Sequence, residues 1–457
     1  MSHSTSLKLH QLHTVAPPLP TTATTFPLTF FDILWLRLPP VERLFFYQFP
    51  SNPTTSKTTS FYDIIVPNLK HSLSLTLQHF IPLLGNITWP LESSNPIINY
   101  VPGDAVSFTV AESISDNFNH LCSNLCDVVN RQHLIPRLNV SHEQASVLSL
   151  QVTLFPNSGV CIGITTHHAA VDGKSSTMFL KTWAYFCSEL QQQLTQFPSS
   201  LLPENLTPFL DRSVISDPSG ITEAFVDSWL NFNGPNNRSL KVWETISAVK
   251  TEQVKGLFEL TPSHIQKLKK YAQSKVKSKV STFSVTCAYL LSCLVKVEKP
   301  KDERVAFIFS VDSRTRLDPP ILPTYFGNCV FPQLVVVETN KLAENDGFFI
   351  ALEGISDALN KLENGVLKEG KNWMSKIQSA IGDRIFSVAG SPRFEVYGID
   401  FGWGKPKKVD VTSIDKTGAF SLSESKNFDG GVEIGLALNK VEMEAFVAVF
   451  HQELESF

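Results

Sequence analysis

A chain of 457 residues exceeds what a single hydrophobic core organises, so its length points to two domains. With 42% hydrophobic residues, 33 Phe and only 18% charged residues, the composition is that of a packed globular enzyme and excludes a disordered or fibrous protein. A net charge of -4 supplies no basic field for a polyphosphate backbone, which argues against nucleic acid as a partner.

The first 31 residues carry no acidic group and are rich in Ser and Thr, as in an organellar transit peptide. The first arginine is Arg37, however, and the alternation of Leu7 and Leu9 suits a β-strand followed by a Pro-rich connector. No segment has the apolar run of a signal peptide or the length of a membrane span, so the expectation is a cytoplasmic protein. The seven cysteines agree: they are scattered, odd in number and set among apolar neighbours, as buried thiols in a reducing compartment are. Cys122 and Cys126 lack the second ligand pair that zinc spacing requires.

Residues 72–87, SLSLTLQHFIPLLGNI, predict a helix that stops near Leu84. Residues 148–168 read as two strands joined at Pro156, Asn157, Ser158 and Gly159, a hairpin signature. Beyond them Phe179, Trp183, Phe186 and Leu190 recur at helical spacing, which puts Asp172 at a strand-to-helix junction. The Gln-, Pro-, Ser- and Asn-rich stretch that follows reads as a crossover at 196–237, between an N-terminal domain at 1–195 and a C-terminal one at 238–457. Thr261 before Pro262 marks a helix start, and Ser281 caps a second, buried helix. The chain closes with a period-two strand in GGVEIGLALNK and a helix whose apolar face is Met443, Phe446, Phe450 and Leu454.

The chemistry concentrates in HHAAVDG, residues 167–173. A histidine at the end of an apolar strand, facing a cleft, has the near-neutral pKa needed to take a hydroxyl proton as the oxygen attacks a carbonyl. His168 is the candidate for that base, and a satisfied core or surface histidine is the competing reading. Asp172 either orients its imidazole or is turned away and held by an arginine, and four residues of separation across a tight turn make the second easier. No third strong ligand accompanies His167, His168 and Asp172, so no metal is expected.

Three further motifs, DFGWG at 400–404, VDSRTRLDPP at 311–320 and YFGNC at 325–329, give the chain a family resemblance. Together with HHAAVDG it resembles the plant BAHD acyltransferases along its whole length. YFGNC, SLSLTLQHFIPLLGN and VEIGLAL resemble the branch that acylates sugar hydroxyls of anthocyanin, flavonoid and other phenolic glucosides, often from malonyl-CoA. The resemblance implies an α/β fold of two similar chloramphenicol-acetyltransferase-like domains, each a mixed β-sheet with flanking helices, joined by a long crossover loop. It implies acyl-CoA as co-substrate, malonyl-CoA first, with a phenolic glycoside as acceptor and no permanent cofactor; nothing in the sequence demands a dimer, so a monomer is the expectation. A hydroxycinnamoyl donor is the alternative. Carrier-protein condensation domains share HHxxxDG but not DFGWG, and a silent ligand-binding homologue would release no CoA.

On the same footing His168 is the catalytic base in a solvent channel, and Asp172 pairs with Arg314. Asp400 is a catalytic candidate, although an acidic residue fixing the Gly402–Gly404 turn over Trp403 is the competing physical reading. CoA phosphates want cations and hydroxyls, which KVKSKVSTF at 275–283 offers before a helix N-terminus as Lys279, Ser281 and Thr282. FSVAGSPR at 386–393, with Ser387 and Gly390, lies along the acyl channel if it is not an ordinary strand edge. Trp35, Asp32, Arg393 and Tyr325 are the substrate-binding candidates. Lys174 either meets a malonyl carboxylate or is a solvated first-turn lysine; relatives carry an Arg one turn further on, where this chain has Ser176.

Overall fold

Asn157 adopts the left-handed backbone (φ 62°) that a tight turn needs, and on either side of it the strands Leu148–Phe155 and Gly159–Thr166 pair antiparallel. Every residue of both strands is buried, which explains why they read as near-continuous apolar runs rather than alternating ones. The computed structural model that contains this hairpin describes residues 7–19, 21–49, 60–191, 202–241, 252–276 and 280–457.

The chain forms two compact units. The first comprises the described residues of Met1–Ala248 with Ile321–Cys329 and Glu395–Ser413; the second comprises those of Val249–Pro320 with Val330–Phe394 and Ile414–Phe457. In the first, a six-stranded sheet runs in the order Leu7–Val15, Val106–Ser113, Leu148–Phe155, Gly159–Thr166, Val41–Gln48, Lys408–Val411. Only Val106–Ser113 and Leu148–Phe155 are parallel neighbours within it. A four-stranded sheet of Thr24–Pro27, Ile97–Tyr100, Asn86–Thr88 and Gln144–Ser146 completes the β structure of this unit's sheets. Helices Val66–Leu77 and Gly173–Gln191 pack together, and the buried Trp183 indole donates to Leu69 O at 3.0 Å. The first of these helices ends at Leu77, earlier than its sequence predicts; Ile81–Leu83 forms a separate 3₁₀ turn, with Pro82 unable to extend an α-helical ladder.

In the second unit the sheet order is Val330–Glu338, Arg304–Asp312, Arg384–Ala389, Phe420–Glu424, Val432–Asn439, Gln253–Leu260. Arg384–Ala389 is parallel to both of its neighbours, and the other pairs are antiparallel, so this sheet too is mixed. Helix Pro262–Lys275 begins at the Thr261 cap and helix Thr282–Glu298 at the Ser281 cap, as their sequences predict. The closing helix, Lys440–Ser456, buries Met443, Phe446, Phe450 and Leu454, the face its spacing marks out. Those residues join a core that includes Phe307, Phe386, Phe420 and Ile434; each such side chain contributes about 1.5–3 kcal/mol when buried.

All seven cysteines are buried thiols. No helix among the described residues is long and apolar enough to cross a membrane.

Candidate active site

The strand Gly159–Thr166, central in the first unit's sheet, delivers two histidines just past its C-terminal end, and the turn after it treats them differently. His167 is 1% exposed, its N–H donating to Val147 O at 2.9 Å and its Nδ1 accepting from Ala169 N at 3.2 Å. Burial, with the neighbouring His168 adding to it, lowers its pKa to about 4, so it stays neutral. His168 remains partly exposed. Its Nδ1 is the buried nitrogen, and the indole of Trp35 stacks on the ring with centroids 4.1 Å apart and planes 7° from parallel. Burial again pulls its pKa below the ordinary value, opposed by its own carbonyl, by the charge of Asp172 and by the Asn328 side chain.

Asp172 turns toward the start of helix Gly173–Gln191. Its Oδ1 accepts from Ser175 N at 2.8 Å and its Oδ2 from Cys329 N at 3.1 Å, so the carboxylate joins the first helical turn to the YFGNC segment. Both of these donors are backbone N–H groups. Ser175 repeats the connection by donating to Gly327 O at 2.9 Å. Tyr325 and Asp32, both substrate-binding candidates, are 0% exposed. Asp32 is a hub: Oδ1 accepts the backbone and side-chain N–H groups of Asn328 at 3.1 and 3.0 Å, and Oδ2 accepts from Arg212 at 2.5 Å and from Thr29 N at 2.9 Å. Asn328 also donates to His168 O at 2.8 Å, and Arg212 to Ala170 O at 3.2 Å. The backbone of the histidine loop is thereby held at two carbonyls by groups that Asp32 fixes.

Asn328 and Arg212 were not singled out by sequence. Asn328 sits inside YFGNC, so the motif pointed at it; Arg212 lies in an irregular segment with no periodicity to mark it. Arg37, equally hidden, donates to the carbonyls of Trp229, Asn237 and Ser239 and so fastens that irregular segment to the unit.

Asp400 is exposed, and its Oδ1 accepts from Gly402 N and Gly404 N, each at 2.8 Å. Both glycines have positive φ, 92° and 93°, a conformation that favours glycine. The Asp400 carboxylate thus spans the turn from Gly402 to Gly404. Trp403 stacks on Phe401 at 5.6 Å and meets the edge of Tyr47 at 5.5 Å, anchoring DFGWG to the first unit. Lys174 is a partly exposed residue of the first helical turn.

The remaining candidates belong to the second unit. Ser281 caps helix Thr282–Glu298, its hydroxyl accepting from Ser284 N at 3.0 Å, and Thr282 accepts from Lys269 at 2.8 Å. Lys269 is thus a cation at this helix start that sequence spacing did not select. Lys279 lies outside the described residues. Ser387 lies on strand Arg384–Ala389, and Gly390 follows it at φ 77°, where a Cβ would meet Leu422 O at 2.5 Å. Arg393 is exposed. Arg314 is buried and donates to Asp312 Oδ1 at 3.0 Å.

The profile of the transferase family matches residues 6–453. The chain is 40% identical to phenolic glucoside malonyltransferase 1 of Arabidopsis thaliana, with 94% of each chain covered. It is 36% identical to malonyl-CoA:anthocyanidin 5-O-glucoside-6''-O-malonyltransferase of the same plant, over the whole of both chains. Among solved structures it resembles vinorine synthase, with a TM-score of 0.70 at 20% identity and 96% of each chain covered, which shows the fold.

Proposed function

The chain belongs to the transferase family as a BAHD acyltransferase, and from that membership we propose that it moves a malonyl group from malonyl-CoA to a sugar hydroxyl of a flavonoid or other phenolic glucoside. The glucose 6-hydroxyl is the intended target. The observation that carries the reading is the His168 imidazole: partly exposed at a strand end, stacked on Trp35 and depressed in pKa, so that it is neutral at physiological pH.

With Nδ1 buried, Nε2 is the working nitrogen. The acceptor hydroxyl gives its proton to Nε2 as its oxygen attacks the thioester carbonyl. The C–O bond forms, the tetrahedral oxyanion collapses, the C–S bond breaks, and the imidazolium returns the proton to the leaving thiolate of CoA. A thioester is reactive enough that no covalent enzyme intermediate is required. Trp35 fixes the ring plane, and Asn328 with Arg212 fixes the loop that carries it. In this reading Asp172 and Arg314 form the ion pair that shapes the histidine loop. Ser281, Thr282 and Lys279 receive the CoA phosphates, Ser387 and Gly390 line its acyl arm, and Lys174 faces the malonyl carboxylate. The enzyme acts as a monomer in the cytoplasm, where its buried thiols stay reduced.

A matrix of malonyl-, acetyl- and coumaroyl-CoA against several phenolic glucosides and their aglycones, read by mass spectrometry, tests this. Malonylated glucosides are the expected product. Preference for coumaroyl-CoA would replace the donor, and acylation confined to aglycones would overturn the acceptor.

A further inference from the structure

The Trp35 indole lies flat on the His168 imidazole, yet its own polar atom does not hold it there. Among the described residues its Nε1–H is buried without a hydrogen-bond partner, so the ring takes its place from packing and from the backbone that carries it. That backbone has little regular structure of its own. Helix Phe30–Ile33 is a single turn, and isolated turn bonds continue the winding, Trp35 N donating to Asp32 O at 3.0 Å and Leu36 N to Ile33 O at 3.1 Å. A helical piece this short does not hold its shape without outside support.

The support comes from a distant part of the chain and grips the turn on both sides of Trp35. On one side the Trp229 indole donates to Ile33 O at 2.8 Å, across 196 positions of sequence. On the other, Arg37 donates through Nε to Ser239 O at 2.6 Å, through Nη1 to Trp229 O at 2.7 Å and through Nη2 to Asn237 O at 2.6 Å. Its guanidinium also lies over the Trp229 ring, 5.4 Å from the centroid, so Trp229 takes part in both ties and closes them on each other. The Arg37 bonds are charge-assisted and satisfy carbonyls of Asn237 and Ser239 that belong to no helix or strand. The same stretch supplies Arg212, which pairs with Asp32. It is held from behind as well: Arg238 donates to Pro90 O at 2.7 Å and to Ser93 O at 2.9 Å, and Leu240 N to His142 O at 3.0 Å.

We infer that Trp229 and Arg37 are positioning residues of the transfer reaction: together they clamp the turn 33–37 on either side of Trp35 and so set the plane against which the His168 ring works. The inference rests on the acyltransferase reading and deepens it. A histidine ring turns easily about its last side-chain torsion, whose wells are broad, and a flat partner within 7° of parallel removes most of that freedom. The proton goes to Nε2 only if that nitrogen points along the acceptor hydroxyl, and small misplacements of such a group cost rate rather than binding. The crossover stretch, which has no motif of its own, thereby acts on the rate through Trp35.

The test uses the full-length chain and three readouts: kcat and KM with the acyl-CoA and phenolic glucoside that the wild type turns over, a melting curve, and the ring-proton resonance of His168 in histidine-labelled protein, identified by its loss in His168→Ala. The stacked indole displaces that resonance through its ring current, and Trp35→Leu gives the position without it. Trp229→Phe keeps an aromatic ring and removes the N–H; kcat should fall about 10-fold with KM within about 2-fold, and the His168 resonance should move toward its place in Trp35→Leu. Arg37→Lys, which keeps the charge and loses the three-way fork, should act in the same direction. Arg238→Ala is the control: it cuts the ties to Pro90 and Ser93, and should lower the melting temperature while kcat and the resonance stay at their wild-type values. An unchanged kcat or an unmoved resonance in Trp229→Phe, or equal changes in Arg238→Ala, would overturn the inference and leave the proposed function standing. A wild type that transfers no acyl group to any glucoside would overturn both. Should Trp229→Phe not fold, Arg37→Lys carries the same two readouts, and their constancy there is equally decisive against the clamp.

Discussion

The interiors of the two units are built from different materials. The first unit buries Asp32, Arg37, Arg43, Arg131, Asp172, Arg212 and Asn328. The second is organised on a cluster in which helix Thr282–Glu298 buries most of its length against Phe, Leu, Ile and Val side chains; there Lys255 and Asp415 form a sealed pair at 2.9 Å. Hydrocarbon burial is nondirectional and tolerates substitution of similar volume, whereas buried charge tolerates only the partner it has. The first unit therefore accepts a greater mutational risk, and it does so at the histidine loop, where geometry within a fraction of an ångström matters for proton transfer.

The comparison is broken most severely by His168→Ala. Turnover should fall by about a hundredfold to ten-thousandfold while CoA binding, measured by calorimetry, persists. Substantial residual turnover would remove the base from the mechanism. Asp32→Ala removes the carboxylate that Arg212 and Asn328 share and leaves the buried guanidinium without its counter-charge, which should cost about 3–5 kcal/mol of stability in denaturant unfolding. Activity should drop in the protein that remains folded, because Asn328, which donates to the His168 carbonyl, is no longer fixed by Asp32.

Acid should also find the first unit's weak point. His167 and His168 both titrate below their ordinary value in the folded chain, so the unfolded chain takes up protons first as the pH falls. Their contribution is complete above the ordinary histidine value of 6.5 and is lost as the pH falls toward the value near 4 of His167. Melting temperature should decline across that window. The acid limb of kcat/KM should lie below pH 6.5, since His168 keeps its neutral form to lower pH than a free imidazole; a limb above that value would contradict its burial.

The smallest effect sharpens the comparison from the other side. Ile434→Val, in the second unit's core, should cost about 1 kcal/mol and leave the malonyl-to-acetyl ratio untouched, because it removes only a methylene from hydrocarbon packing. A shift in donor preference from that change would mean that the two interiors are coupled.

Much of the secondary structure was legible because the signals were local: the hairpin turn at 156–159, the caps at Thr261 and Ser281, and the 3.6-residue stripe of the last helix each lie within a few residues of the element they specify. The end of helix Val66–Leu77 was misjudged because the apolar run continues through Phe80 and Leu84 in a different backbone conformation. His168 and Asp172 were visible as polar groups on an apolar strand end. That Asp32, Arg212 and Asn328 act together on the histidine loop was not, because they are separated by more than a hundred residues from one another and meet only through the fold.

By itself, then, the sequence determined the elements, the histidine motif and the family, all carried by short-range pattern. Tertiary structure alone decided that Glu395–Ser413 belongs to the first unit, since Lys408–Val411 extends its sheet beside Val41–Gln48. It also decided that Asp172 serves the backbone of Ser175 and Cys329, and that Arg43 is buried against Ser176 without a counter-ion among the described residues. A charge in an apolar strand announces that something must answer it, but which group answers depends on distances that no linear spacing encodes.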